Sequence, residues 1–356
     1  MTDTFVIAEA GVNHNGDEAL ALDLVDVAAA AGADAVKFQT FRADDLATHA
    51  ALKADYQLRN TGESESQHAM LRRLELSPDL HTKLAERCRA KSIAFMSTPF
   101  DPGSMRFLVS NFRMPFLKIP SGEVTNPLML LAAAKTGLPV ILSTGMADLQ
   151  EVETALGVLA FGFSGTTARP SLAAFRSAIE QPDARRELGE RVIVLHCTTE
   201  YPAPIEDANL RAMDTIRDTF GVRVGYSDHT SGMVASIAAV ARGAAVIEKH
   251  FTLRRSLPGP DHAASLEPRE LGDMIASIRQ VERALGSGIK EPSRSEQRNL
   301  AIARKSLVAS TSIARGEILT ERNLTVKRPG SGISPMDYFE RLGTPAVRDY
   351  AVEDLI

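Results

Sequence analysis

Short apolar runs that end in polar or small residues recur over the first 250 positions: VIAEAG (6–11), AVKFQT (35–40), AFMSTPF (94–100), FLKIPSGE (116–123), VILSTGM (140–146), VIVLHCT (192–198), RVGYSDH (223–229) and AVIEKHF (245–251). Their apolar parts are continuous rather than alternating, the habit of parallel strands buried on both faces. Helical periodicity fills the gaps. In Asp17–Ala31, the residues Leu20, Leu24, Val27, Ala28 and Ala31 share one face, with Asp17 placed as N-cap and Gly32 as the residue past the C-cap. Val234, Ile237, Ala238 and Ala241 repeat the pattern before Gly243. Eight strands alternating with helices predict an α/β fold, a closed (β/α)8 barrel rather than an open sheet.

Two insertions break the rhythm. The polar segment Phe41–Ser77, with KADYQLRNTGESESQ in its middle and Met70, Leu71 and Leu74 toward its end, follows a barrel strand. It therefore sits on the active-site face, as a lid or as a solvated excursion. Ser164–Glu190 is rich in Ala, Arg and Glu and extends the helix layer, with no function assigned to it. A helix over Ile275–Leu285 closes the barrel, which occupies residues 1–286; GSGIKEPSRSEQRN opens a linker spanning 287–304, and 305–356 form a β-rich tail broken by Gly and Pro turns. A tail of roughly 50 residues buries too little apolar surface for comfortable independence, so it is expected to dock on its own barrel or a partner's.

At 356 residues the chain holds a barrel of roughly 250 residues and one small appended domain. Forty Lys+Arg against 45 Asp+Glu give a formal charge of −5, which offers no general attraction for nucleic acid or an anionic membrane. A small-molecule partner is expected. Cys88 and Cys197 lack disulfide-framework or zinc-type spacing and read as buried reduced thiols, and neither a signal-peptide pattern nor a long apolar run is present. The cytoplasm is the expected compartment.

The strand ends are unusually polar, and in such barrels the active site is assembled there. In order they offer Glu9, Asn13 and His14; Lys37 and Gln39; Thr98; Lys118, Ser121 and Glu123; Ser143 and Thr144; His196, Thr198, Thr199 and Tyr201; Ser227, Asp228 and His229; Glu248 and His250. His229 and His250 end neighbouring strands, so their imidazoles can converge as two ligands of Mn²⁺, Mg²⁺, Fe²⁺ or Zn²⁺. A lone histidine there would read as a hydrogen-bonded side chain; the adjacent pair favours ligation. Glu9 or Glu123 is placed to orient a water, or to pair with Lys37 or Lys118. Two lysines entering the mouth imply an anion-rich substrate, phosphate plus carboxylate fitting best; Lys–Glu pairing within the site and a Schiff-base lysine are the alternatives. Asp261 lies in a Gly/Pro-bracketed loop, LPGPDHAAS, suited to a polyhydroxylated ligand, and Arg328 lies in the rigid loop KRPGSGISP of the tail.

Ten segments, IAEAGVNHNGD, DAVKFQTF, FMSTPFD, LKIPSGE, ILSTGMA, HCTTEYPAP, GYSDHTSG, IEKHFTL, GPDHAASLEP and KRPGSGISPM, together resemble the sialic acid synthase (N-acylneuraminate synthase) family in order and spacing over nearly the whole chain. The resemblance implies a TIM barrel followed by an antifreeze-like (SAF) domain, in a domain-swapped homodimer whose tail reaches the partner's active site. It implies condensation of phosphoenolpyruvate with an open-chain N-acetylated hexosamine such as N-acetylmannosamine, with loss of phosphate. Lys37, Thr98, Lys118, Ser121, Ser143 and Ser227 match phosphoenolpyruvate-binding positions; His229 and His250 match ligands of a divalent metal, Mn²⁺ or Mg²⁺. Glu9, Gln39, Tyr201, Asp261 and Arg328 match amino-sugar positions, and Glu123 the carboxylate beside the metal. Thr199 stands where some members carry Asn, which removes an amide contact to phosphoenolpyruvate. A legionaminic or pseudaminic acid synthase using a 2,4-diacetamido-trideoxyhexose is the alternative within this chemistry; a non-enzymatic carbohydrate- or ice-binding protein is the alternative outside it.

Overall fold

A computed structural model describes residues 3–62 and 65–356; Met1, Thr2, and Glu63 and Ser64 of the polar excursion lie outside the described residues. The chain divides into two compact units, Met1–Gly286 and Ser287–Ile356.

All eight apolar runs form strands: β1 (Phe5–Gly11), β2 (Ala35–Thr40), β3 (Ala94–Pro99), β4 (Leu117–Ile119), β5 (Val140–Ser143), β6 (Val192–Cys197), β7 (Arg223–Asp228) and β8 (Val246–His250). They pair in parallel in one sheet ordered β3-β2-β1-β8-β7-β6-β5-β4. Closure differs from the expected continuous ladder: β3 and β4 pack side by side without hydrogen-bonded pairing among the described residues. The reason is local. β4 has three residues and runs into Pro120, which has no N–H to donate.

The first helix, Glu18–Ala30, is capped by the Asp17 carboxylate, which accepts from the Leu20 N–H; Gly32 follows at φ +82°, the left-handed conformation expected past a C-cap. The Phe41–Ser77 excursion resolves into short helices Ala43–Leu46, Asp55–Thr61 and Gln67–Arg73, the last anchored by Met70 and Leu74 on Val12 and Phe41. The second insertion forms helices Leu172–Ile179 and Pro182–Arg191, and the closing helix begins earlier than expected, at Pro268.

Period-2 alternation sorts each strand into two sets. Ile7, Ala35, Met96, Ile141, Leu195 and Val246 fill the barrel interior, while Val6, Val36, Phe95, Leu142, Val194 and Ile247 belong to the larger core shared with the helices. Two positions on from the interior set lie Glu9, Lys37, Thr98, Ser143, Cys197 and Glu248, all buried. An apolar floor thus carries a polar layer. Gly225 of β7 belongs to this wall: a Cβ there would come within 2.5 Å of both the Val246 carbonyl and Leu195 Cδ2. Backbone cannot yield as a side chain can, so Gly225→Ala is expected to lower unfolding free energy by about 1–3 kcal/mol, measured by urea titration. An unchanged midpoint would contradict this packing.

In the second unit, β9 (Ser306–Ala309) pairs antiparallel with β10 (Leu324–Lys327) over a core of Ala309, Ile313, Leu319, Ala346 and Tyr350. The stretch read as linker groups with this unit and includes a helix, Gln297–Ala303.

Candidate active site

The polar layer condenses into one buried network. Lys37 Nζ lies 2.6 Å from Glu9 Oε2 and 3.5 Å from Glu248 Oε2 and donates to Thr98 Oγ1 at 2.8 Å. Lys118 Nζ lies 3.6 Å from Glu248 Oε1, which also accepts from Ser227 Oγ at 2.9 Å. Gln39 Nε2 reaches Glu9 Oε1 at 3.4 Å. The two lysines therefore have carboxylate company, the Lys–Glu pairing that sequence left as an alternative, so the cradle does not by itself demand an anion. Burial raises Glu9 to about 7 against the pull of Lys37, whereas burial on Glu248 is outweighed by Lys118 and Lys37, which hold it at about 2. Gly11 lets this corner close up: at φ +52°, its missing Cβ would stand 3.2–3.3 Å from His250 Cε1, Gln39 Nε2 and Glu9 Oε1.

Above the network, the His229 and His250 rings stand 5.7 Å apart between centroids, both buried. Burial lowers His229 to about 4 and His250 well below its ordinary value, keeping both imidazoles neutral. His229 Nδ1 lies 2.6 Å from the Thr198 carbonyl; donation there leaves a lone pair on Nε2, which lies 3.3 Å from Ser227 Oγ, while His250 Nδ1 is buried without a hydrogen-bond partner. Two neutral imidazoles, one pinned through its far nitrogen, fit a divalent metal. Behind them, Asp228 and Lys249 form an ion pair at 3.2 Å with both side chains fully buried, and Asp228 accepts from Thr230 and Ser236, fixing the two strand ends that carry the histidines. Tyr201 stacks on His229 at 4.1 Å and meets His250 edge-on at 5.6 Å. Asp261, 4.0 Å from His250 Nδ1, is raised by burial to about 7.

Other candidates separate by strand parity and position. Ser121 Oγ accepts from the Gly145 N–H and lies 3.2 Å from Cys197 Sγ; Ser143 Oγ and Thr199 Oγ1 are buried without partners. His196 and Thr198 instead turn away from the mouth, toward the carbonyls of Ala208 and Asp207. Glu123 is half-buried and its Oε2 accepts from Asn126, the N-cap of helix Pro127–Lys135. Arg328 belongs to the second unit, where its Nε donates to the Ala303 carbonyl. Sequence reading placed acceptor-deciding pocket residues in KADYQLRNTGE without singling out Tyr56, Arg59 and Asn60 of helix Asp55–Thr61. Tyr56 packs on Tyr201 at 4.8 Å, Arg59 pairs with Glu200 at 2.5 Å, and Asn60 Nδ2 donates to the Pro260 carbonyl at 2.6 Å, so this helix is fastened across the mouth. No periodic signal marks them; only tertiary contact does. A separate set of metal-type donors, Asp44, His49 and His68, lies within the same excursion.

The NeuB family model matches residues 24–290. The chain belongs to the NeuB family. Residues 304–350 match the SAF domain, so this NeuB-family protein carries the barrel and tail that its sequence suggested. It is 49% identical over 356 residues to N,N'-diacetyllegionaminic acid synthase of Campylobacter jejuni, covering 100% of this chain and 99% of that one. Identity to the synthase of the same name from Legionella pneumophila is 45% over 340 residues, 96% of this chain and 89% of the other. Among solved structures, N-acetylneuraminic acid (sialic acid) synthetase from Leptospira borgpetersenii aligns at TM-score 0.66 and 35% identity, covering 84% of this chain and 90% of that one. No helix among the described residues of this NeuB-family chain is long and apolar enough to cross a membrane.

Proposed function

We propose that this protein is a legionaminic acid synthase: it joins phosphoenolpyruvate to the open-chain aldehyde of a 2,4-diacetamido-2,4,6-trideoxyhexose. The observation that carries the condensing chemistry is the buried Lys37–Glu9–Glu248–Lys118 network beneath two neutral histidines. The choice of acceptor rests on identity of 49% and 45% to two diacetyllegionaminic acid synthases, against 35% to the sialic acid synthetase structure. These relatives favour the diacetamido sugar over N-acetylmannosamine, reversing the order in which sequence placed them.

Lys37, Lys118, Thr98, Ser121, Ser143 and Ser227 bind phosphoenolpyruvate, its phosphate and carboxylate drawing the lysines partly away from Glu9 and Glu248; Thr199 adds a hydroxyl beside Ser121. Gln39, Tyr201 and Asp261 hold the amino sugar. C3 of phosphoenolpyruvate attacks the aldehyde carbon, forming the carbon–carbon bond and leaving cationic character at C2. Water adds at C2, its proton passing to Glu9 or Glu123, and the carbon–oxygen bond to phosphate breaks as the C2 ketone forms. The lysines stabilise the departing phosphate. His229 and His250 would hold a divalent metal, Mn²⁺ or Mg²⁺, which supplies Lewis-acid polarisation of the aldehyde oxygen.

Phosphate release measured with N-acetylmannosamine and with 2,4-diacetamido-2,4,6-trideoxymannose tests the acceptor. Preference for the diacetamido sugar is expected; the reverse preference overturns the acceptor, and turnover of neither overturns the condensing reaction. The same reading makes the protein a cytoplasmic, domain-swapped homodimer in which Arg328 meets the acyl group in the partner's site. Arg328→Ala is then expected to raise KM for the amino sugar about tenfold or more with KM for phosphoenolpyruvate unchanged, the loss of a charge-assisted hydrogen bond being about 1.5–3 kcal/mol. Unchanged kinetics, or full activity from a monomer in sedimentation, removes the cross-subunit role.

A further inference from the structure

Outside the barrel mouth, the excursion brings together three donors that the condensation does not use. Asp44 belongs to helix Ala43–Leu46, His68 to helix Gln67–Arg73, and His49 to the strand-free stretch between them. His68 Nε2 lies 2.8 Å from Asp44 Oδ1, the His49 and His68 rings stand 4.2 Å apart between centroids, and one ligand atom from each residue falls within 4.8 Å of the others. We propose that Asp44, His49 and His68 form a second metal site, for a borderline divalent ion such as Zn²⁺, that clips together the two ends of the segment carrying Tyr56, Arg59 and Asn60.

The donor set selects the class of ion. Two imidazoles and one carboxylate suit Zn²⁺, Co²⁺ or Ni²⁺, whereas Mg²⁺ and Ca²⁺ prefer all-oxygen shells. Bonds of about 2.1 Å in a tetrahedral shell set ligand atoms about 3.4 Å apart, so the three donors need only small adjustments, and water can complete the shell. The burial pattern helps. His68 is buried, with its side chain only 7% exposed, on a helix held to the core by Met70, so it forms a fixed post. Asp44 and His49 are exposed, which leaves them free to adjust and gives the ion a route in. His68 is the main partner of the Asp44 carboxylate, on which Arg72 also bears electrostatically. Without an ion, the Asp44–His68 contact is a single ion pair with its carboxylate in solvent, which water and salt screen. With one, residues 49 and 68 become the ends of a closed loop, and the helix lying across the mouth loses freedom to peel away. The inference rests on these three side chains and not on the reaction assigned above.

Equilibrium dialysis of the metal-stripped full chain against Zn²⁺, with limited proteolysis at Lys53 and Arg59, tests it. The parent is expected to hold one equivalent more than His49→Ala and His68→Ala, and Zn²⁺ is expected to slow cleavage about tenfold in the parent and not in either variant. His49 is exposed, so His49→Ala keeps the test valid should His68→Ala fail to fold. Equal uptake by the parent and both variants overturns the site, as does cleavage indifferent to Zn²⁺. The loss of one equivalent in the variants supports this site whatever His229 and His250 hold, and those two are tested by their own variants, so the two metal readings fail separately.

Discussion

His229→Ala and His250→Ala are each expected to reduce metal-dependent phosphate release by about 10³-fold or more, with the fold retained. Lewis-acid stabilisation of the reacting oxygen is worth several kcal/mol, and about 4 kcal/mol corresponds to about 10³ in rate. The fold survives because neither imidazole holds the barrel together. That task falls to the apolar floor and to the Asp228–Lys249 pair behind the histidines. Replacing His229 forfeits the hydrogen bond to the Thr198 carbonyl, about 1 kcal/mol, and a longer contact with Ser227 Oγ, and an imidazole that is neutral by virtue of burial leaves no charge stranded. Kinetics with added Mn²⁺, beside circular dichroism and thermal melting, check both halves. Full activity in the two variants would end the assignment of these residues as ligands.

Lys37→Met is expected to damage both catalysis and stability, and the two losses can be separated. Its ammonium lies against Glu9 and Glu248 at once, so its removal leaves two buried carboxylates with Lys118 as their nearest cation. Breaking a buried pair from one side costs about 3–5 kcal/mol, because the surviving charge has no water to solvate it. On the proposed reaction, loss of this donor to the departing phosphate is expected to lower kcat/KM by about 10²–10³-fold. In Lys37→Met/Glu9→Gln the stranded carboxylate is neutral, so most of the stability should return while phosphoenolpyruvate turnover does not. Recovery of turnover in the double variant would show that Lys37 is a structural counterion and not part of the anion site. Urea titration and steady-state kinetics on the two proteins decide between these outcomes.

The barrel was legible because parallel strands covered on both sides must be apolar throughout, which makes each of them visible one at a time. Strand ends were legible for the same reason, since polarity begins where cover stops. Parity then separates residues that look alike: Lys37, Glu248 and His250 share the inward set, while His196 falls on the outward one and satisfies itself on the Ala208 carbonyl. Pairing was harder to foresee. Whether Lys37 faces Glu9, Glu248 or a ligand depends on distances of an ångström or two across three strands, which no spacing encodes. The short β4 was overestimated because FLKIPSGE continues in apolar and small residues past Pro120 after the ladder has ended. Tyr56, Arg59 and Asn60 sit on a seven-residue helix but reach Tyr201, Glu200 and Pro260, far along the chain. Elements that short carry little periodicity of their own, so their partners are set by the framework beneath them.

The seam between β3 and β4 has a consequence for how stiff each half of the site is. β7 and β8, which lead to His229 and His250, lie mid-sheet with hydrogen-bonded neighbours on both sides, whereas Thr98 and Lys118 ride on the two strands that end the ladder. Opening at the seam breaks side-chain packing and no interstrand hydrogen bond, so it is the cheapest way for this barrel to breathe, and backbone amides there should exchange with solvent before those of β7 and β8. The wall proposed to take the anion can thus widen and tighten while the imidazole pair keeps its spacing, one jaw of the clamp yielding and the other fixed.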